Sequence, residues 1–185
     1  MNRMLRFTSF ILMLGISHCV FSDNLKETNK DLSSYTVNQK AIIEKNKQKF
    51  AVLKKYNLPM GSYVIGGSGP LGIRGIREIQ DVDILVSNEL RDDLIKKYGM
   101  VDDGKVKKIV FPKDEIEAFW EGSFYTQEKD KHAPTVKQVI SRAEIIDGLP
   151  FESLDDSIYF KRKLNRPKDL EDIKSIEEWK SKHGI

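Results

Sequence analysis

Cysteine is almost missing from this chain. Among 185 residues there is one, Cys19, so no disulfide framework can form. If the first 22 residues are removed, no thiol is left for nucleophilic catalysis either. A charge of one sign is also missing: 31 Lys and Arg stand against 28 Asp and Glu, a formal net charge of +3. That near-balance gives no reason to expect non-specific nucleic-acid binding, which needs a strong basic excess. Long apolar runs are confined to Phe7–Phe21, which is short beside the roughly 20 residues of a membrane-spanning helix. No internal repeat is visible, and 39% hydrophobic content supplies one compact domain.

The first residues read as separate from that domain. Arg3 and Arg6 precede the apolar run, and Ser22-Asp23-Asn24 switches abruptly to polar, the parts of a secretory signal peptide over residues 1–22. The expected destination is periplasmic or secreted, with a membrane anchor at residues 7–21 as the alternative. Cys19 follows the bulky His18, where a lipoprotein site wants a small residue. Cleavage would remove two positive charges and no acid, taking +3 to +1. Residues 23–35, rich in Lys, Asn, Asp and Ser, read as a flexible lead-in, and residues 36–185 as the domain.

In the domain, Ile42, Ile43, Phe50, Val52 and Leu53 recur at helical spacing among lysines from about Thr36 to Tyr56, an amphipathic helix with a solvated lysine face. Asn88 to Tyr98 reads as a second helix, with Asn88 as its N-cap and Gly99 at its end. Lys107–Phe111 and Asp114–Trp120 read as strands. The polar stretch after Trp120, through His132, reads as a loop over the site in which Tyr125, Lys129, Lys131 and His132 are weak substrate contacts. Val136–Ser141 reads as a helical turn and Ala143–Ile146 as a strand. Ser153 caps a helix carrying Lys161, and Pro167 opens the last helix.

Chemistry concentrates between Tyr63 and Ser87. A short strand, Ser62–Ile65, leads into Gly66-Gly67-Ser68-Gly69-Pro70, where missing side chains let a ligand approach the backbone. N–H groups at the start of a following helix lack internal partners and suit an anion such as a triphosphate. Such a turn alone is weak, since most glycine turns after strands are only turns. Next comes Asp81-Val82-Asp83-Ile84-Leu85-Val86. In a strand the two acids share one face at ~6–7 Å, and Val82, Ile84 and Val86 take the other. Two carboxylates so placed repel each other, and a divalent cation removes the difficulty. Mg²⁺ suits such a pair because it takes few protein ligands and keeps waters or substrate phosphates. The bland alternative puts both acids at an exposed strand end.

Ile65-Gly66-Gly67-Ser68 and Asp81-Val82-Asp83-Ile84, with Gly69 to Gln80 between them, resemble the polymerase-beta-like nucleotidyltransferase superfamily, and above all its small stand-alone bacterial members. The resemblance extends to a lysine followed by Arg166-Pro167-Lys168-Asp169 and Asp172-Ile173, and runs from about Tyr63 to Trp179. It implies an α/β (α+β) fold with a small mixed β-sheet flanked by helices. It also implies two Mg²⁺ ions on Asp81 and Asp83, and β- and γ-phosphates held by Gly67, Ser68 and the turn amides. A third acid on a neighbouring strand is implied, Glu117 first and Glu115 second. Lys161 is implied to reach the triphosphate, with Lys168 and Asp169 as weaker candidates. Arg77 or, equally, Arg74 would help position the phosphates.

The expected activity is transfer of a nucleoside monophosphate from an NTP, first of all ATP, to an unidentified hydroxyl acceptor. The alternatives are a catalytically inactive nucleotidyltransferase-like module that binds a nucleotide or a protein partner, and a kinase that moves the γ-phosphate.

Overall fold

A computed structural model describes residue 33, residues 35–123 and residues 133–185. The leader at 1–22, most of the lead-in and the loop with Tyr125, Lys129, Lys131 and His132 lie outside the described residues. In chain order the elements are α1 (Val37–Lys54), β1 (Tyr63–Ile65), α2 (Gly69–Ile73), β2 (Val82–Val86), α3 (Asn88–Tyr98), β3 (Val101–Asp102) and β4 (Lys107–Val110). They continue with β5 (Ile116–Phe119), α4 (Val136–Ser141), β6 (Glu144–Ile146), β7 (Leu149–Phe151), α5 (Leu154–Leu164) and α6 (Pro167–His183).

The strands form one mixed sheet in the order β3-β4-β5-β2-β1-β7-β6, so the expected α+β class with helices on a mixed sheet is the observed one. β1 and β2 are antiparallel, while β2–β5 and β1–β7 are parallel. The centre of the sheet is therefore β2 between β1 and β5. Its alternation is the reason it lies there: Val82, Ile84 and Val86 are buried and Asp83 and Leu85 are partly exposed. Full burial of one such aliphatic side chain is worth about 1.5–3 kcal/mol. The apolar face meets Phe50 and Leu53 of α1 and Leu90 and Leu94 of α3. On the other face Val64 and Leu85 meet Val139 and Ile140 of α4 and Phe160 of α5. A separate apolar cluster, including Ile43, Leu71, Ile158, Ile176 and Trp179, joins α1 and α2 to α5 and α6.

Several local expectations change. The N-cap of α3 is Ser87, whose hydroxyl accepts from the Leu90 N–H, rather than Asn88. Tyr35, at the end of the expected lead-in, is buried against the α6 side, beside His183. The lysines of α1 are more than a solvated face: Lys47 pairs with Asp147 and Lys49 with Glu115, which ties the helix to the sheet edges. No helix among the described residues is long and apolar enough to cross a membrane.

Candidate functional site

The turn after β1 and the acid of β2 touch. Gly66 donates its N–H to the Asp83 carbonyl at 2.9 Å, which carries the β1–β2 pairing one residue past the strand. Gly67 then adopts φ +59°, and a Cβ there would stand 2.4 Å from Asp83 Oδ2. Only glycine fits both the backbone and the space. The N–H groups of Gly69 and Leu71 bond back within the turn, whereas those of Gly67 and Ser68 make no hydrogen bond among the described residues. Two unpartnered donors thus lie beside the Asp83 carboxyl. They belong to the turn and not to α2, which at five residues is too short to make a helix terminus of its own.

Asp83 is aligned with Glu117 across the parallel β2–β5 pair, so the third acid of the expected set is on the neighbouring strand at the matching position. Burial first, and then the negative charges of Asp81 and Glu117, raise the Asp83 carboxyl to about 7 against the pull of Lys168 and Lys108. Neither Asp81 nor Asp83 has a salt bridge or side-chain hydrogen bond among the described residues. Glu117 differs, because Lys108 on β4 holds its Oε1 at 2.6 Å. Glu115 is exposed and paired with Lys49 of α1, whereas Glu117 is the glutamate opposite Asp83. Among the described residues no group of three or more His, Cys, Asp or Glu is arranged to hold a metal. Asp81 and Asp83 are carboxylates without a salt bridge among the described residues, and Glu117 opposite Asp83 is paired with Lys108. The two aspartates fit Mg²⁺, which takes one or two carboxylates and completes its shell with water and phosphate oxygens.

The cations converge on one buried acid. Asp172, on α6, accepts from Arg77 Nε at 2.6 Å and Nη2 at 3.0 Å, and from Lys161 Nζ at 2.8 Å. Arg77 Nη2 also donates to Ser68 Oγ at 2.8 Å. Burial opposes ionisation of Asp172, yet these hydrogen bonds hold its carboxyl below the ordinary range. Ser68, Arg77 and Lys161 are thus brought together as expected, but through an acid that looks, from its place near the start of a helix, like a dipole-favoured surface residue. Asp169 does act at that helix start: it accepts the Arg166 N–H at 3.1 Å and its guanidinium at 2.6 Å. Lys168 is exposed and makes no salt bridge among the described residues, while its charge reaches Asp83. Arg74 is removed from the list. It is 1% exposed, bonded to Glu144 and to the Pro70 carbonyl, and lies over Trp179.

Two further residues organise the site without standing out in the sequence. Asn46 of α1 is buried, donates to the carbonyls of Gly72 and Arg77 and accepts from the Ile79 N–H, all at 3.0–3.1 Å. It fixes the path from the turn to β2. A polar residue inside the stripe of Ile43, Phe50 and Leu53 was the available signal. Glu152 follows β7, donates its N–H to the Ile65 carbonyl and accepts from the Ser157 hydroxyl at 2.8 Å. A groove of about 630 Å³ between α5 and α6 is lined by Asp155, Tyr159, Arg162 and Lys180 among others, and no residue of the cluster described above lines it.

Comparison of the chain with protein-family models, with curated proteins and with solved structures returns no match in any of the three.

Proposed function

We propose that this chain is a metal-dependent nucleotidyltransferase that moves a nucleoside monophosphate from an NTP, first of all ATP, to a hydroxyl acceptor. The observation that carries the proposal is the contact of the Gly66-Gly67-Ser68 turn with Asp83. Gly67 lies against the Asp83 carboxyl, the Gly67 and Ser68 N–H groups have no partner among the described residues, and the charge of Asp81 acts on Asp83. Asp81 and Asp83 are the residues that would hold Mg²⁺, which when bound supplies charge neutralisation for the triphosphate and a lowered pKa for the acceptor hydroxyl. The Gly67 and Ser68 amides, with the Ser68 hydroxyl, would take phosphate oxygens, as amides at such turns do for anions. Arg77, which also donates to Ser68, and Lys161 would turn from Asp172 to the phosphates, and Lys168, whose charge reaches Asp83, would add positive charge. Glu117, opposite Asp83, would receive the acceptor proton once it leaves Lys108. Alignment and electrostatics supply most of the rate in phosphoryl chemistry of this kind.

A second reading is a nucleotide-binding module without catalysis. One observation favours it: Glu117 is neutralised by Lys108, and Arg77 and Lys161 by Asp172. Incubation of the protein with Mg²⁺, NTPs labelled at the α- or the γ-phosphate and cell extract separates the readings. Label from the α-phosphate in an acceptor, absent with Asp83→Asn, supports transfer. Label from the γ-phosphate supports a kinase, binding without transfer supports the module, and no binding or consumption of any NTP overturns the proposal.

A further inference from the structure

Glu152 is an acid that none of the site chemistry above uses. It is 2% exposed and makes no salt bridge among the described residues. Its main chain is fixed by the bond to Ile65, which extends the parallel β1–β7 pairing. Its side chain lies against the turn: a Cβ on Gly66 would stand 3.1 Å from Glu152 Oε2. Gly66 meets the Glu152 carboxyl and the next residue, Gly67, meets the Asp83 carboxyl, so two acids hold consecutive residues of one turn. The other Glu152 oxygen receives the hydroxyl of Ser157, on the first turn of α5. Lys161 is one turn further along that helix.

The two protonation states of an acid in this place have opposite consequences. Uncharged, it fills the gap between turn and helix and accepts the serine hydroxyl. Ionised, it adds a negative charge against Gly66, the residue next to Gly67 in the turn where an anion would have to settle. We propose that Glu152 is a positioning residue that supports the turn in its uncharged form, and that its ionisation drives an anionic ligand, the triphosphate of an NTP, off Gly66-Gly67-Ser68. The proposal rests on the nucleotide reading given above. The groups facing Glu152 come from each element packed against it: Asp83 on β2, Asp156, Ser157 and Lys161 on α5, and Arg74 at the end of α2. Burial is the largest cause; with the Ser157 hydrogen bond and Lys161 pulling the other way and the charges of Asp156 and Asp83 adding to burial, the carboxyl is raised to about 8.

The test measures the affinity of the full chain for Mg·ATP by titration calorimetry at pH 7.5 and pH 9.5. For the wild type, affinity is expected to fall about tenfold or more across that interval, as a like charge a few ångströms from an anion site requires. Glu152→Ala, which removes the wedge, binds weakly at both values. Glu152→Gln, which keeps the uncharged shape, restores binding at pH 7.5 and shows no alkaline loss. An equal alkaline loss in wild type and Glu152→Gln, or a wild type that does not respond to pH, overturns the role of Glu152 and leaves nucleotide binding standing. Failure of Glu152→Gln to bind at pH 7.5, with its circular dichroism native, overturns it too. Absence of Mg·ATP binding by the wild type at both values overturns the nucleotide reading and this proposal with it.

Discussion

Glu152→Gln should gain stability relative to the wild type as the pH rises into alkali, with no pH-dependent difference between the two below about pH 4.5. Glutamate is held uncharged in the fold up to about pH 8 against an ordinary value of 4.5. Below about pH 4.5 the carboxyl is protonated in both the folded and the unfolded chain and contributes no pH dependence. Between 4.5 and 8 the unfolded chain has released its proton and the folded chain has not, so wild-type stability falls as the pH rises; above 8 both have released it and the loss is complete. At about 1.4 kcal/mol per pH unit, that interval amounts to up to roughly 5 kcal/mol, a third or more of the 5–15 kcal/mol that holds a typical domain together. Glutamine has nothing to release, so any fixed cost of the amide shifts its curve without bending it. Urea unfolding of both proteins from pH 4.5 to pH 9 reads the difference directly. A gap that widens to about pH 8 and then levels supports the reasoning. A gap of constant size would refute it, because the buried carboxyl would then be ionised in the fold at neutral pH.

Gly67→Ala should lower stability by about 1–3 kcal/mol, since φ is +59° and the new Cβ meets Asp83, and it should abolish Mg·ATP binding in calorimetry. Asp172→Ala leaves Arg77 and Lys161 facing each other without their shared acid; a loss near 3 kcal/mol in chemical denaturation is expected, at the low end for a broken buried pair because Arg77 is partly exposed. Asn46→Leu strands two carbonyls and an N–H and should cost about 2–4 kcal/mol, with faster proteolysis at residues 74–80 as its local signature. Asp83→Asn should raise the melting temperature above pH 7, where the wild type carries an ionised carboxyl that burial disfavours, and should erase the rise that Mg·ATP gives the wild type.

The sheet centre was legible because β2 states its own orientation: alternate residues Val82, Ile84 and Val86 can only face a core, and that fixes Asp83 on the other side. The turn was legible for the same reason, since Gly67 sits where no side chain fits. The edge pieces were not. β3 is two residues long and exposed, and β7 contains Pro150, so neither carries an alternating pattern. Arg74 and Arg77 are three residues apart in one loop and look equivalent in the sequence. Their difference comes from Glu144 and Asp172, which are far along the chain, and no local rule selects between them. Glu152 and Asp172 were missed or misplaced on the same ground: each reads as an acid near a helix start, where the dipole favours acids, and only the packing of α5 and α6 shows them buried.

Sorting the charges of the site by partner gives a physical account of what a ligand must do there. Asp172 neutralises Arg77 and Lys161, Asp169 neutralises Arg166, and Lys108 neutralises Glu117. Among the described residues Asp81 and Asp83 have no such partner, and Lys168 has none either. A bare triphosphate would meet unpaired carboxylates and be repelled. A bare cation would be drawn to them but would find Glu117, the acid opposite Asp83, already paired with Lys108. The two together complete each other, with the cation on the carboxylates and the anion on the free amides of Gly67 and Ser68 and the charge of Lys168. On the proposed reading the two ligands are coupled: Mg²⁺ and ATP should each bind weakly alone and tightly together, and by linkage each must raise the affinity of the other by the same factor. Calorimetric titration of each ligand in the absence and presence of the other measures both factors. Independent binding of the two would mean that the free amides and the free carboxylates do not serve one ligand.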